Sequence, residues 1–151
     1  MANTTAPREL SDTGLRAWRN FLRANSRLTS EFDVRLRDRH GTAIGDFDVL
    51  AQLSRAPGGL RMCDLAAAVV LSPSGLSRRV DRLERAGLVS RERGSADARN
   101  IEARLTARGK REFARWRKTH LADVQERFGD RYSAEELDTL AELLGRLTDE
   151  A

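Results

Sequence analysis

Hydrophobic positions recur at steps of three and four residues through the first forty residues, a pattern typical of one face of a long α-helix. The positions in this series are Leu15, Trp18, Leu22, Thr29, Phe32 and Leu36, with Asn25 filling the gap between Leu22 and Thr29. They predict a helix from about Leu10 to Arg39, with Ser11 or Thr13 as its N-cap. The two glycines of "HGTAIG" end it.

Three shorter helices are predicted next. In "DFDVLAQLS" the apolar residues share one face until "RAPGG" breaks the pattern, and "MCDLAAAVV" adds about two helical turns. Ser72 then supplies an N-cap and Pro73 a first-turn proline, while Gly87 is placed to end a helix in the left-handed conformation. The segment between them, "PSGLSRRVDRLER", is therefore predicted to be helical.

This last helix has two different faces. The apolar side is formed by Leu76, Val80 and Leu83. The opposite side carries Ser74, Arg78, Asp81, Arg82 and Arg85, with Ser77 and Arg79 on the flanks. The apolar stripe is expected to dock the helix on the protein and leave the cationic face outward.

The rest of the chain predicts a β-hairpin and two more helices. "LVSRER" and "IEARLT" alternate as strands do, with the turn-rich "GSADARN" between them. A long helix is predicted from Thr106 to about Phe128, with five candidate buried positions, namely Phe113, Trp116, Leu121, Val124 and Phe128. The last helix, in "SAEELDTLAELLGRL", opens with a capping box of Ser133 and Glu136. Its leucine stripe consists of Leu137, Leu140, Leu144 and Leu147.

Two short helices followed by a two-stranded wing are the layout of a winged helix-turn-helix, which is a mainly α fold with a small β-hairpin wing. In that layout the second helix enters the DNA major groove, so Arg78 is the candidate for reading a guanine, while Arg82 and Arg85 are expected on phosphates. Wing residues Arg93 and Arg99 are expected in the minor groove or on the backbone, with Asp97 orienting an arginine. The full predicted DNA-binding set is Ser72, Ser74, Gly75, Ser77, Arg78, Arg79, Arg82, Arg85, Arg93, Asp97 and Arg99.

Charge is distributed unevenly along the 151 residues, which favours an anionic partner for the middle of the chain. From Leu76 to Lys118 there are 14 Lys and Arg against 6 Asp and Glu, a net charge of +8. From Asp123 to the end there are 3 Arg against 9 acidic residues, a net charge of −6.

Several classes of function are disfavoured. One cysteine, Cys63, allows no internal disulfide, and no Cys or His lies near it at metal-ligand spacing, so neither a metal nor a cofactor is expected. The sequence has no nucleophile turn, phosphate loop or recognisable pair of catalytic carboxylates, so no enzyme is predicted. "MANTTAPREL" does not resemble an export signal, and no apolar run is long enough for a membrane span, so a cytoplasmic protein is expected.

The stretch from "IGDFDVLAQ" to "LTARG" resembles the central region of the MarR (multiple antibiotic resistance regulator) family. The resemblance includes "VDRLERAGLV", the D-x-R of the wing as Asp97 and Arg99, and the "LTARG" that opens the next helix. The order of the flanking helices agrees, so the resemblance covers nearly the whole chain. It implies one domain with an N-terminal dimerisation region (1–42), a winged helix-turn-helix (43–106) and C-terminal dimerisation helices (107–151).

The resemblance further implies an obligate homodimer on a pseudo-palindromic double-stranded operator, a repressor that a small aromatic or phenolic acid releases. Leucine stripes on the terminal helices independently favour a partner surface. The predicted dimer contacts are Leu15, Leu22, Leu137, Leu140, Leu144 and Leu147. Trp18 and Asp48 are the candidates for lining an effector crevice, although aromatic residues at helical spacing, Trp116 included, are more often core.

Other interpretations carry different expectations. The cationic helix face could be solvated and paired within the helix, and a winged helix can be a protein-interaction module without DNA. An oxidant-sensing repressor acting through Cys63 is a further alternative, against which we expect a buried, inert thiol.

Overall fold

The computed structural model describes residues 9–69, 71–93 and 101–148. Its helices are α1 (Asp12–His40), α2 (Ile44–Arg55), α3 (Met62–Ala68), α4 (Pro73–Arg85), α5 (Ala107–Arg127) and α6 (Ala134–Thr148). Its strands are β1 (Leu60–Arg61), β2 (Val89–Arg93) and β3 (Ile101–Leu105). The predicted mainly helical fold with a small β wing is confirmed.

The helices begin and end where the sequence supplies caps. Ser11 Oγ accepts a hydrogen bond from Gly14 N at 3.1 Å, and the left-handed Gly41 (φ 67°) ends α1. In the predicted capping box, Ser133 N donates to Glu136 Oε2 at 2.8 Å and Glu136 N donates to Ser133 Oγ at 3.3 Å. Gly87 (φ 71°) follows α4 as predicted.

The wing is part of a three-stranded antiparallel sheet of order β1-β3-β2, rather than the two-stranded hairpin predicted. β1 has only two residues and pairs Leu60 with Ala103 and Arg61 with Glu102. A strand this short has no alternation that a sequence pattern could reveal, since its pairing with β3 is a tertiary contact.

The hydrophobic core lies between the end of α1 and the winged helix, and α5 closes it. The largest fully buried side chains are Leu36, Leu50, Leu53, Leu65, Leu76, Val49, Val80 and Val89. Trp116 of α5 is 4% exposed, which confirms it as core, whereas Leu121 is 47% exposed and its predicted burial is wrong in the single chain.

A buried carboxylate, which the hydrophobic pattern did not predict, joins α5 to α1. Asp123 is 2% exposed, and its Oδ1 accepts from Arg35 Nη1 at 2.5 Å and from Arg39 Nη1 at 3.2 Å. Arg35 also contacts Glu126, and the paired carboxylates raise the pKa of its guanidinium. These ion pairs hold the end of α1 against α5.

Within the described residues, no helix combines the length and the apolar character that crossing a bilayer requires.

Candidate nucleic-acid interface

Helices α3 and α4 form the helix-turn-helix. Leu65 and Ala66 of α3 are buried together with Leu76, Val80 and Leu83 of α4, as the predicted apolar stripe requires. Ser72 Oγ accepts a hydrogen bond from Gly75 N at 3.1 Å, so the N-cap side chain provides a partner for a backbone N–H group in the first turn of α4. Apolar packing therefore fixes which side of α4 faces outward.

The outward side of α4 carries the predicted DNA-contacting residues. Those exposed to solvent are Ser72, Ser74, Arg78, Arg82 and Arg85, while Gly75, Ser77 and Arg79 are half-buried. The first turn of α4 presents small side chains and the later turns present exposed arginines, so this side of the helix is a narrow polar ridge that is cationic beyond its first turn. Such a ridge can enter a groove and meet phosphates or base edges.

Asp46, in the first turn of α2, binds two of the α4 arginines. Its Oδ1 accepts from Arg79 Nη1 at 3.1 Å and from Arg82 Nη2 at 2.5 Å, and the residue is 7% exposed. The Arg79 guanidinium lies directly over Gly45, where a β carbon would come within 2.2 Å of Nη1. Sequence reasoning missed Asp46, because the partner lies 33 residues before Arg79 and on another helix.

Arg78 and Arg85 differ from this pair. Within the described part of the chain, Arg78 makes no ion pair, and Arg85 Nε donates only to the backbone carbonyl of Asp81 at 3.2 Å. An ion pair of Arg85 with the Asp81 carboxylate, which the alternative of a face paired within the helix would use, is absent among these residues. Both guanidinium groups are available to an external anion.

Arg91 of β2 attaches the wing to α4. Its Nη2 lies 2.6 Å from Glu84 Oε2 and 2.7 Å from Asp81 Oδ1, and its backbone N donates to Glu84 Oε1 at 3.1 Å. The hydrogen bond from Arg91 lowers the pKa of the Glu84 carboxyl. Arg93, at the end of β2, is exposed as expected, whereas Asp97 and Arg99 lie outside the described residues.

The two residues predicted to line an effector crevice lie in different parts of the described chain. Trp18 is 51% exposed and its ring stacks on Phe21, with centroids 6.0 Å apart. Asp48 of α2 lies near His120, whose ring contacts Phe32 at a centroid distance of 5.0 Å. Trp18 precedes Phe32 by 14 residues on one helix, a separation of about 21 Å.

His120 lies in an aromatic enclosure where α1, α2 and α5 meet. Its ring centroid is 4.6 Å from that of Phe47, and its Nδ1 is buried with no hydrogen-bond partner among the described residues. Burial lowers the pKa of the His120 imidazole, and the carboxylates of Asp48 and Asp123 oppose that shift. Removal from water raises the pKa of the Asp48 carboxyl.

Three of the six leucines predicted at a dimer interface, Leu140, Leu144 and Leu147, line an apolar groove of about 590 Å³ between α1 and α6, whereas the other three do not line it. Its main lining residues are Trp18, Phe21, Leu28, Phe128, Tyr132, Leu140, Leu144 and Leu147. No described residue of α6 is buried, and Leu15, Leu22 and Leu147 are 39%, 45% and 71% exposed. An apolar face of this kind is unusual on a monomer.

Cys63 is exposed, so the expectation of a buried thiol is wrong. Leu65 and Ala66 turn inward on α3, and position 63, two residues before Leu65, therefore faces solvent. Its described side-chain contact is with Asp64 Oδ1 at 3.7 Å. Among the described residues, no group of His, Cys, Asp and Glu is arranged to hold a metal ion.

Comparison with known proteins gives consistent matches. Residues 40–100 match the model of the MarR family. The chain is 33% identical over 104 residues to the HTH-type transcriptional regulator PecS of Dickeya dadantii (strain 3937), a match covering 68% of this chain and 62% of PecS. The chain thus spans about three fifths of the length of that curated relative.

Two solved structures from Streptomyces coelicolor agree over more of the chain. AbsC, a MarR family transcriptional regulator, is 34% identical, with a TM-score of 0.83 over 95% of this chain and 97% of AbsC. Sco3205, a MarR family regulator solved in complex with DNA, is 29% identical, with a TM-score of 0.85 over 98% and 92% of the two chains. All these relatives are regulators, in agreement with the expectation that the chain is not an enzyme. The match to AbsC extends over nearly all of both chains, and the chain therefore belongs to the MarR family of transcriptional regulators.

Proposed function

We propose that the protein is a homodimer that binds double-stranded DNA in a sequence-specific manner and represses transcription until a small ligand releases it. The observation that carries this proposal is the outward face of α4, where Arg78 and Arg85 have no carboxylate partner among the described residues. The structure of Sco3205 in complex with DNA supports the same use of this fold.

Arg78 is the residue proposed to read a base. It lies one turn into α4, next to the small residues Ser74 and Gly75 that allow the helix to approach the groove. Its exposed guanidinium suits the O6 and N7 acceptors of guanine. Arg82 is 55% exposed although it binds Asp46, so it can meet a phosphate without losing that carboxylate.

The groove between α1 and α6 supports the homodimer. A second copy of the chain would cover the apolar side chains of both helices and bring two α4 helices onto one face. Two recognition helices would then bind half-sites about 34 Å apart, one turn of DNA.

The proposed ligand site is a cavity of about 470 Å³ between the end of α1 and α4. Arg37, His40 and Arg82 supply cationic or polar rim groups, Asp46 adds a carboxylate that pairs with Arg82, and Trp116 forms part of the wall. The Trp116 Nε1 is buried and lacks a hydrogen-bond partner among the described residues. Arginines beside an indole suit a small aromatic carboxylate, and this cavity replaces Trp18 and Asp48 as the proposed location.

The first test is fluorescence anisotropy of the purified protein with labelled duplexes at two salt concentrations. One duplex carries the DNA that flanks the protein's own gene, and a shuffled duplex of equal composition is the control. Selective binding that weakens steeply with salt is expected, because phosphate contacts release counterions. Salicylate, used as a probe aromatic acid, is expected to weaken the selective binding only.

Weak, salt-insensitive binding to every duplex would contradict the DNA-binding proposal and favour a protein-interaction module. Selective binding that salicylate and related aromatic acids leave unchanged would contradict only the proposed ligand response.

A further inference from the structure

The first half of α5 carries a cationic face that the helix-turn-helix does not include. Arg108, Arg111, Arg115 and Lys118 follow each other at steps of three and four residues and lie on one side of the helix, where all are exposed. We call this set the α5 cationic face. Lys110 and Arg117 lie on a different side of the helix, and Glu112 is the one acidic residue between Ala107 and Lys118.

This arrangement has a local cost for the helix. The first turn of α5 contains no acidic residue, and cations there oppose the positive end of the helix dipole. Like charges three and four residues apart also repel each other. Among the described residues, the ion pair of Arg115 with Glu112, at 2.7 Å, offsets part of this repulsion. A solvated helix face normally mixes both signs, so this pattern indicates an anionic partner.

The α5 cationic face begins beside the end of α4. Thr106 Oγ1 donates to the carbonyl of Gly87 at 2.7 Å, and the Arg108 side chain lies over Gly87, the residue that ends the recognition helix. Gly109 packs its backbone against the carbonyl of Leu88. The turn that follows Arg85 therefore lies against Arg108, the first residue of the α5 cationic face, at the C-terminal end of α4.

We propose that the α5 cationic face is a second, sequence-independent contact with the phosphate backbone of the DNA that α4 binds. This inference rests on the proposed DNA-binding function. Double-stranded DNA suits the face because its phosphates form a continuous anionic surface next to the bound groove. The contacts would add affinity and salt dependence without adding base preference.

The test compares two triple variants of equal charge. One replaces Arg108, Arg111 and Lys118 by Gln and leaves the pair of Arg115 and Glu112 intact. The matched control replaces Arg16, Arg19 and Arg23 by Gln, on exposed positions of α1 that lie about 25 Å or more along the helix from its end at His40. Binding of selected and shuffled duplexes is measured by anisotropy from low to high salt, after light scattering and thermal unfolding establish that each variant is intact.

The α5 variant is expected to bind both duplexes more weakly by the same factor. The slope of log affinity against log salt should fall in magnitude by up to about 5, for three cations on each of two protomers at about 0.9 each. The α1 control should change the slope far less.

Equal slopes in the two triple variants, with selective binding by the unchanged protein, would overturn the α5 proposal and leave the proposed function standing. A loss confined to the selected duplex would also overturn it, because phosphate contacts do not discriminate sequence. If the triple variant does not fold, the single substitution Arg111→Gln provides the same comparison, with an expected slope change of about 2 for the dimer.

Discussion

At the scale of the residue, the arginines of α4 divide by what they already bind. Arg79 and Arg82 share the carboxylate of Asp46, whereas Arg78 has no ion pair among the described residues. An arginine held by a buried carboxylate is oriented before any ligand arrives, but it is less free to adopt the two parallel hydrogen bonds that guanine requires. We therefore assign the reading of a base to Arg78 and the positioning of the helix to Arg79 and Arg82.

Arg78→Ala is expected to weaken binding by about 1 to 3 kcal/mol and to relax preference at one base pair in each half-site. Arg85→Ala, on the same face but at the end of α4, should weaken all sequences equally. The measurement is anisotropy against a panel of single base-pair substitutions in the selected duplex. A uniform loss for Arg78→Ala across that panel would show that this side chain contacts phosphate only.

At the scale of the element, α5 depends on one glycine for its close approach to the turn after α4. A β carbon built on Gly109 would lie 1.9 Å from the carbonyl oxygen of Leu88, which is a backbone atom. That contact cannot be relieved by rotating a side chain. The α5 helix must therefore move if any other residue replaces this glycine.

Gly109→Ala is expected to lower the free energy of unfolding by about 3 kcal/mol, measured by urea denaturation. Helix propensity alone would favour alanine by about 1 kcal/mol, so destabilisation identifies the clash as the larger effect. Gly58→Ala is the control, because a β carbon at Gly58 meets nothing within 4 Å. Equal stability of the two variants would refute the tight approach of α5.

The junction of α1, α2 and α5 is expected to respond to acid through His120. Burial lowers the pKa of His120 in the folded protein. As pH falls through about 6.5, the pKa of histidine in an unfolded chain, the unfolded protein therefore binds more protons than the folded protein does. The free energy of unfolding should therefore fall between pH 7 and pH 5, as the His120 imidazole of the unfolded chain takes up its proton.

The test measures urea denaturation at pH 7, 6 and 5 for the unchanged protein, His120→Phe and His40→Gln. Burial also lowers the pKa of His40, so His40→Gln separates its share of the response. His120→Phe should flatten the dependence more than His40→Gln does. If the free energy of unfolding falls as steeply with pH in His120→Phe as in the unchanged protein, a group other than His120 causes the acid response.

The elements that sequence patterns predicted well are those whose signals are local. Helix α4 is bounded by Ser72 and Gly87, and its buried stripe follows from spacing alone. The features missed depend on residues far apart in the chain, such as β1 on β3 and the buried Asp123, whose partner Arg35 lies 88 residues away. Hydrophobic periodicity shows which face of an element is apolar. It does not show which polar group is buried in the core, or which apolar face would pack against a second chain.

At the scale of the whole molecule, the groove between α1 and α6 is an apolar surface that the single chain leaves open in its described part. Its lining residues include Trp18 and Phe21 of α1, which are 51% and 42% exposed. Covering them with a second copy would remove this area from water and stabilise the assembly. The exposed Trp18 is then an interface residue rather than a core or effector residue.

Leu144→Glu is expected to yield a monomer in light scattering, because it places an unpaired carboxylate in the apolar groove. Arg146→Glu is the control. Arg146 lies on an exposed part of the same helix. Its replacement by Glu changes the net charge more than Leu144→Glu does, but it should leave the dimer intact. A monomer has one recognition helix and cannot bind two half-sites at once, so Leu144→Glu should also weaken binding to the selected duplex by at least about 100-fold. A dimeric Leu144→Glu protein would contradict the assignment of this groove, and a monomer that kept full affinity would contradict the need for two half-sites.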